Sequence, residues 1–261
     1  MTSRQNKRID LVILVAWIFV SAAICFLIQA KGLVAIILYL IIPAIYLCLR
    51  GKKNYKKLFT AMFLFGIPAV GIFDFILEIN HAWMSDPSKL VFPQKIFGLT
   101  PIDYAVFYFA WIFFSFVFYE HFLDDEKRPA ISKHVVYAIA PFVIGLALTL
   151  FLFVFFPHLL LIPYTYLIGG GLAAIPALAY IVYWKPKLLP KVTKLGLFFF
   201  VLALMIELTS LQYGLWRFPG QYIGLVNMFG VVFPIEEFIF WICLCAPAIV
   251  AWYEFSIDDG K

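Results

Sequence analysis

Charged residues are scarce in this sequence of 261 residues: they make up 13% of it, whereas 64% is hydrophobic and 20% is aromatic. A soluble domain of this length carries about 25% charged residues, so the composition excludes an ordinary soluble protein. Apolar runs long enough to cross a bilayer recur from end to end. We therefore predict an all-α, polytopic transmembrane helical bundle with the lipid bilayer as its surroundings.

Several signatures of chemical sites are also missing. The four histidines show no ligand spacing such as HxxxH, which predicts no metal site. There is no phosphate-binding glycine loop, serine elbow or dinucleotide fingerprint, so no cofactor is predicted. The four cysteines lie in apolar segments and are expected to pack as small side chains. The "GGG" at 169–171 lacks a strand–turn–helix context and is interpreted as a close helix contact.

Eight apolar segments are predicted to span the membrane, at residues 11–30, 32–49, 58–77, 101–122, 135–156, 161–184, 195–216 and 234–254. The first apolar stretch is too long for a cleavable signal peptide. With the N-terminus inside, the cytoplasmic segments hold 16 of the 20 Lys and Arg residues. Because such residues are enriched in cytoplasmic loops, we expect a cell-membrane protein with both termini in the cytoplasm. The formal charge of +5 lies in these short loops and does not indicate a nucleic-acid partner.

The two halves resemble each other at a constant offset of 133 residues. This offset pairs two prolines, two tryptophans and two acids: Pro43 with Pro176, Pro101 with Pro234, Trp83 with Trp216, and Asp74 with Glu207. We therefore predict two parallel four-helix repeats, 1–128 and 129–261, related by an axis along the membrane normal. The first repeat has a degenerate form of the acidic motif that the second carries in full.

Four acidic residues are placed by this repeat at a similar depth, near the outer leaflet, with Glu78 and Glu237 close by: Asp74, Asp103, Glu207 and Glu236. An ionised acid within a span costs about 2.5–3.5 kcal/mol, so these residues are candidates for function. Capping of a helix that begins at "TP" explains Asp103, and the positive end of a helix could account for Glu236. Capping does not require Glu237. Asp74 and Glu207 lie at helix ends where the dipole disfavours an anion.

The second half resembles the lycopene cyclase domain family of small integral-membrane carotenoid cyclases. The resemblance is carried by Gly214, Trp216, Phe218, Tyr222, Gly224 and "PIEEF" at 234–238. In the first half, "FD" at 73–74 and Trp83 match the same pattern, but "PIDY" at 101–104 has Tyr104 in place of the second carboxylate. The family's modules usually count three spans, whereas four are predicted in each half here.

The resemblance implies an intramolecular lyase or isomerase reaction on lycopene or another linear, lipid-soluble polyene. A neutral carboxylic acid would protonate the terminal double bond, the next alkene would attack the cation, and proton loss would leave a β- or ε-ring without redox change. Glu237 or Glu236 would donate the proton, and Asp74, Glu207 and Asp103 would shape the pocket or accept the returned proton. Aromatic residues would bind the substrate and stabilise the cation: Trp83, Tyr104, Tyr213, Trp216, Phe218, Tyr222 and Trp241. The same residues are also typical of an interfacial aromatic belt.

Two other functions use the same residue types. A hydratase or related prenyl-chain enzyme would let water trap the cation and would release a hydroxylated acyclic product. A non-enzymatic carrier or transporter also has intramembrane acids and parallel repeats, although the acids here cluster near one leaflet and not at the midplane. Further expected partners are a second copy of this chain or other membrane enzymes of the carotenoid pathway.

Overall fold

The computed structural model describes residues 3–51, 53–124 and 131–258. Within these residues, eight helices are long and apolar enough to cross a membrane, which confirms the predicted all-α class and the number of spans. The helices are α1 (Gln5–Ile28), α2 (Gly32–Leu49), α3 (Tyr55–Ile79), α4 (Ile102–Phe122), α5 (Val135–Phe155), α6 (Thr165–Trp184), α7 (Pro186–Gln212) and α8 (Glu237–Asp258).

The predicted bounds differ most from the observed ones at the seventh span. α7 begins with a 3₁₀ turn at Pro186–Leu188, nine residues before the predicted start at 195. The hydropathy pattern missed this part because it is basic, yet proline suits a first helical turn. The predicted helix starts at 101 and 234 were also too early, because Pro101 and Pro234 each end a short strand.

Helices α4 and α8 pack against each other at the centre of the bundle. α4 also contacts α2 and α3, and α8 contacts α6 and α7 in the same manner. At the periphery, α1 packs against α7 and α5 packs against α3. These helix contacts of the first half therefore have counterparts in the second. The predicted boundary at 128/129 lies outside the described residues, so the division of the chain stays a prediction.

Short antiparallel strands cover the end of the bundle where α3 and α7 finish. β1 (Met84–Ser85) pairs with β4 (Trp216–Arg217) and so joins the two halves. β2 (Lys95–Ile96) pairs with β3 (Thr100–Pro101), and β5 (Leu225–Met228) pairs with β6 (Val231–Pro234). Both hairpins turn at a Phe-Gly pair, 97–98 and 229–230, in which both residues have positive φ. That conformation matches the twist of a tight hairpin and favours glycine.

A buried ionic cluster closes the opposite end of the bundle. Lys57 is 1% exposed, and its Nζ lies 2.6 Å from Asp258 Oδ1 and 2.9 Å from Glu120 Oε1. Carboxylate oxygens of Glu120, Asp124 and Asp258 lie within 4.8 Å of one another. Since the Lys57 ammonium bonds two of these three carboxylates, we interpret the cluster as a structural connection between α3, α4 and α8.

Candidate active site

A cavity of about 610 Å³ lies inside the bundle, with residues of α2 to α8 in its wall. Almost all of this wall is apolar. Tyr137 of α5 and Leu172 of α6 belong to the wall although they are 69% and 70% exposed. Since both side chains are exposed and also line the cavity, the cavity opens to the surface of the bundle between α5 and α6.

The cavity brings together half of the twelve residues predicted for the site. Those that line it are Glu207, Glu237, Trp83, Tyr104, Trp216 and Trp241. Those that do not are Asp74, Asp103, Glu236, Tyr213, Phe218 and Tyr222. The two acids that reach the cavity both belong to the second half.

The carboxyl groups of Glu207 and Glu237 lie close together at the cavity wall. Glu207 is 0% exposed and Glu237 is 6% exposed. The Trp216 indole donates from Nε1 to Glu207 Oε1 at 3.0 Å, and Tyr166 on α6 lies next to Glu237. Two ionised carboxylates this close together and away from water repel each other, which favours a proton on one of them. The pair is therefore a place to hold one proton away from water.

The end of α7 explains how Trp216 reaches Glu207. Gly214 has φ 71°, and the Leu215 N–H donates to the Ser210 carbonyl at 2.9 Å. This is a Schellman turn, which needs a residue in the left-handed region just after the helix. The turn reverses the chain, so an indole two residues later folds back onto an acid in the last turns of the helix.

The end of α3 repeats this arrangement in the first half. His81 has φ 50°, and the Ala82 N–H donates to the Leu77 carbonyl at 2.9 Å. The turn brings Trp83 close to Asp74, the counterparts of Trp216 and Glu207 at the offset of 133. Each half therefore places a buried acid and a tryptophan together by the same local rule.

Asp74 is completely buried behind the cavity wall. Tyr108 of α4 lines the cavity and donates from its hydroxyl to Asp74 Oδ1 at 3.1 Å. Thr100 and Trp83 also lie near this carboxyl group, but their polar atoms make no regular hydrogen bond in the part of the chain that the structure describes. The Tyr108 hydroxyl thus connects Asp74 to the cavity by a hydrogen bond.

π-Helical turns occur in five places in the described helices, and two of them meet a candidate acid. One such segment, Ala69–Asp74, ends at Asp74, and another, Glu237–Leu244, begins at Glu237. π-Turns inside α-helices occur frequently at functional sites, since they redirect one side chain at a cost in backbone regularity. In α8 the π-helical segment ends shortly before Pro247. Proline has no backbone N–H and cannot make the regular hydrogen bond to the preceding turn of the helix.

Asp103 has a structural role that differs from the predicted one. Its carboxylate does not cap its own helix; it accepts backbone N–H groups of Leu33 at 3.1 Å, Val91 at 2.9 Å and Phe92 at 2.9 Å. A Cβ added at Gly32 would lie 3.0 Å from Asp103 Oδ2, so glycine permits this close approach. The capping interpretation was wrong in its partner, because the carboxylate bonds α2 and the loop between α3 and α4 instead.

Glu236 has a similar place in the second half. It is fully buried, and its Oε1 accepts the backbone N–H of Ile223 at 2.7 Å. It points to the loop before β5 and does not line the cavity. Of the two adjacent acids that the sequence offered as proton donors, only Glu237 faces the space where a substrate would lie.

Aromatic rings form the part of the wall next to these acids. The centroid of Trp83 lies 4.7 Å from that of Tyr104 and 6.5 Å from that of Trp216. Trp241 packs against Trp111 with centroids 4.2 Å apart. Ring faces and edges are thus arranged around the cavity on both sides of the interface between the halves.

The three aromatic candidates outside the cavity have other contacts. The Tyr222 hydroxyl donates to the Ala82 carbonyl, and its ring meets Phe218 edge-on with centroids 6.2 Å apart. Tyr213 lies under the Lys89 ammonium, 5.9 Å from the ring centroid. Burial raises the pKa of the Tyr213 phenol to about 12. These residues pack within the loops that follow α3 and α7.

Tyr108 and Tyr166 are the site residues that the sequence did not single out. Tyr166 lies one turn before the "GGG" of α6, where a Cβ added at Gly170 would lie 2.5 Å from the Phe240 ring. This close approach of α6 and α8 confirms the interpretation of the glycines as a packing contact. It also brings Tyr166 close to Glu237. These residues are far apart in the sequence, so no local motif could predict their contact.

Comparisons with protein-family models, with curated proteins and with solved structures found no match to this chain. The resemblance to a cyclase family stays a prediction, and the geometry of the cavity is the basis for assigning a function.

Proposed function

We propose that this chain is a membrane-embedded enzyme that closes a ring at the end of a linear polyene, the reaction of a lycopene cyclase. The observation that carries the proposal is the carboxyl pair of Glu207 and Glu237 in the wall of an apolar cavity that opens toward lipid. A proton held in such a place can be given to a carbon–carbon double bond, a base too weak to compete with water.

Glu237 is the proton donor in this proposal. Its carboxyl group reaches the cavity beside Glu207, and Tyr166 lies next to it. When Glu237 protonates the terminal double bond, the new C–H bond leaves a tertiary cation in the substrate. The Tyr166 and Trp216 donors then stabilise the two carboxylates, and the carboxylates stabilise the cation across a medium of low dielectric.

The rest of the cavity wall can stabilise such a cation and protect it from water. Faces of Trp83, Trp216 and Trp241 attract a positive charge by the cation–π interaction, which is worth about 2 kcal/mol or more where water is excluded. An apolar wall keeps out water, which would otherwise capture the cation as an alcohol. The next alkene of the chain is then the nearest nucleophile, and ring closure follows.

The lateral opening between α5 and α6 supplies a route for a substrate that dissolves only in the bilayer. In the proposed topology both termini lie in the cytoplasm, and the carboxyl pair lies near the outer leaflet, in agreement with the basic residues of the short loops. A second copy of the chain or other membrane enzymes of the carotenoid pathway are the proposed neighbours for passing on so insoluble a product.

Pigment analysis of a lycopene-accumulating host that expresses the chain tests the function. We expect carotenes with one or two rings and the same elemental composition as lycopene. A hydroxylated acyclic pigment would replace the cyclase assignment by a hydratase. Unchanged lycopene, together with proton flux in vesicles that depends on added polyene, would replace it by a carrier.

A further inference from the structure

Ring closure leaves a second cation, which must lose a proton before the product is neutral. The Glu207–Glu237 pair lies on one part of the wall, and Tyr108 lines the same cavity from α4, within electrostatic range of Glu237. Tyr108 is backed by Asp74, whose Oδ1 accepts its hydroxyl at 3.1 Å. The cavity therefore has two separate acid–base centres.

The contacts of Asp74 leave it able to take up a proton. Its Oδ2 makes no hydrogen bond within the described residues, although the residue is 0% exposed. Asp103 has both oxygens bonded by backbone N–H groups, whereas Asp74, like Glu236, keeps one buried oxygen without a hydrogen bond in the described part of the chain. Asp74 has one strong partner, and this partner is the hydroxyl that reaches the cavity.

We propose that Tyr108 and Asp74 form the proton acceptor that ends the reaction, an inference that rests on the proposed cyclase function. A C–H bond next to the cationic carbon breaks, and its electron pair becomes the double bond of the ring. The proton passes to Tyr108 Oη while the phenolic proton moves to Asp74 Oδ1. Tyr108 touches the substrate and is a catalytic residue, whereas Asp74 acts through it and is a positioning residue.

The acceptor also decides which isomer forms. Several C–H bonds neighbour the cationic carbon, and the one that breaks sets the position of the ring double bond. A fixed hydroxyl on one side of the cavity selects the C–H bond that it can reach, so the wild-type protein is expected to release one dominant ring isomer.

After each turnover Asp74 has gained the proton that Glu237 has lost. The net proton count is unchanged, and the charge is reset after the product leaves, when Asp74 gives its proton to solvent through Tyr108 and the Glu207–Glu237 pair takes a proton from solvent. No oxidant, reductant or further reactant enters this cycle.

The test compares Tyr108→Phe with the wild-type chain in a lycopene-producing host, with ring isomers separated by chromatography and normalised to immunoblotted membrane protein. We expect the yield of the dominant isomer to fall about 100-fold, the typical contribution of a general base. We also expect the remaining cyclic product to become a mixture of ring isomers. Asp74→Asn should shift the mixture in the same direction, and Asp74→Glu should restore part of the original ratio.

Tyr46→Phe is the matched control, because the Tyr46 hydroxyl donates to Asp10 at 2.7 Å in another part of the chain and does not line the cavity. It should keep the wild-type isomer ratio. An unchanged ratio in Tyr108→Phe, at any yield, overturns the acceptor role and leaves the cyclase function standing. If the wild-type chain forms no ring at all, the proposed function and this inference fall together.

Discussion

Replacing Glu237 by glutamine removes a proton from the cavity with little change in shape. The amide has nearly the same shape as the carboxyl group and can both donate and accept hydrogen bonds, so it suits the neighbouring Tyr166 and Glu207 side chains. A conservative exchange of this kind costs about 1 kcal/mol of stability. The loss in catalysis is larger: a general acid contributes about 10²–10⁴-fold, which corresponds to about 2.7–5.5 kcal/mol in the barrier.

Glu236→Gln makes the same chemical change one residue earlier and is the control. Glu236 is as buried as Glu207, but it bonds the Ile223 N–H and does not line the cavity. We expect Glu237→Gln to reduce cyclic product per unit of membrane protein at least 100-fold and Glu236→Gln to reduce it less than tenfold.

The assay is pigment extraction from a lycopene-producing host, with each variant quantified by immunoblot in the membrane fraction. Equal product from Glu237→Gln and the wild type would refute the donor role. A reversed order, with Glu236→Gln inactive and Glu237→Gln active, would refute the use of cavity access to choose between the two acids.

Further predictions concern stability and access. Asp103→Asn should lower the midpoint of thermal unfolding in detergent, because each charge-assisted hydrogen bond that is lost costs about 1.5–3 kcal/mol of stability. The amount of cyclic product per folded protein should persist; a loss of product would instead indicate a catalytic role for Asp103. Lys57→Ala should destabilise the bundle by about 3–5 kcal/mol because Asp258 and other acids are left buried without their cation; an unchanged midpoint would show that the cluster is not ionised. Leu172→Trp should reduce cyclic product by narrowing the lateral opening, whereas Leu197→Trp, at a similarly exposed position of α7 outside the cavity, should not; equal products would place the entrance elsewhere.

The features that the sequence could predict depend on composition and spacing. Eight apolar segments give eight helices because a bilayer demands that length, whatever the partners of each helix. The offset of 133 residues also predicted that Trp83 and Trp216 would occupy equivalent positions. In the structure each indole lies beside the acid of its own half.

Features that depend on long-range contacts could not be predicted. The partners of Asp103 lie in α2 and in the loop between α3 and α4, up to 70 residues away, so a local capping pattern gave the wrong donor groups. Tyr166 meets Glu237 only because glycines let α6 approach α8. The choice between Glu236 and Glu237 turns on a rotation of about 100° between successive helical residues, and the start of α8 had to be known to make it.

Transfer of one proton to the substrate for each ring is the central claim, and isotope incorporation tests it most directly. Wild-type protein in liposomes prepared in D₂O is incubated with lycopene, and the products are analysed by mass spectrometry. The account predicts cyclic carotene that carries one deuterium for each ring formed. Cyclic product without deuterium, or lycopene recovered unchanged, would contradict it.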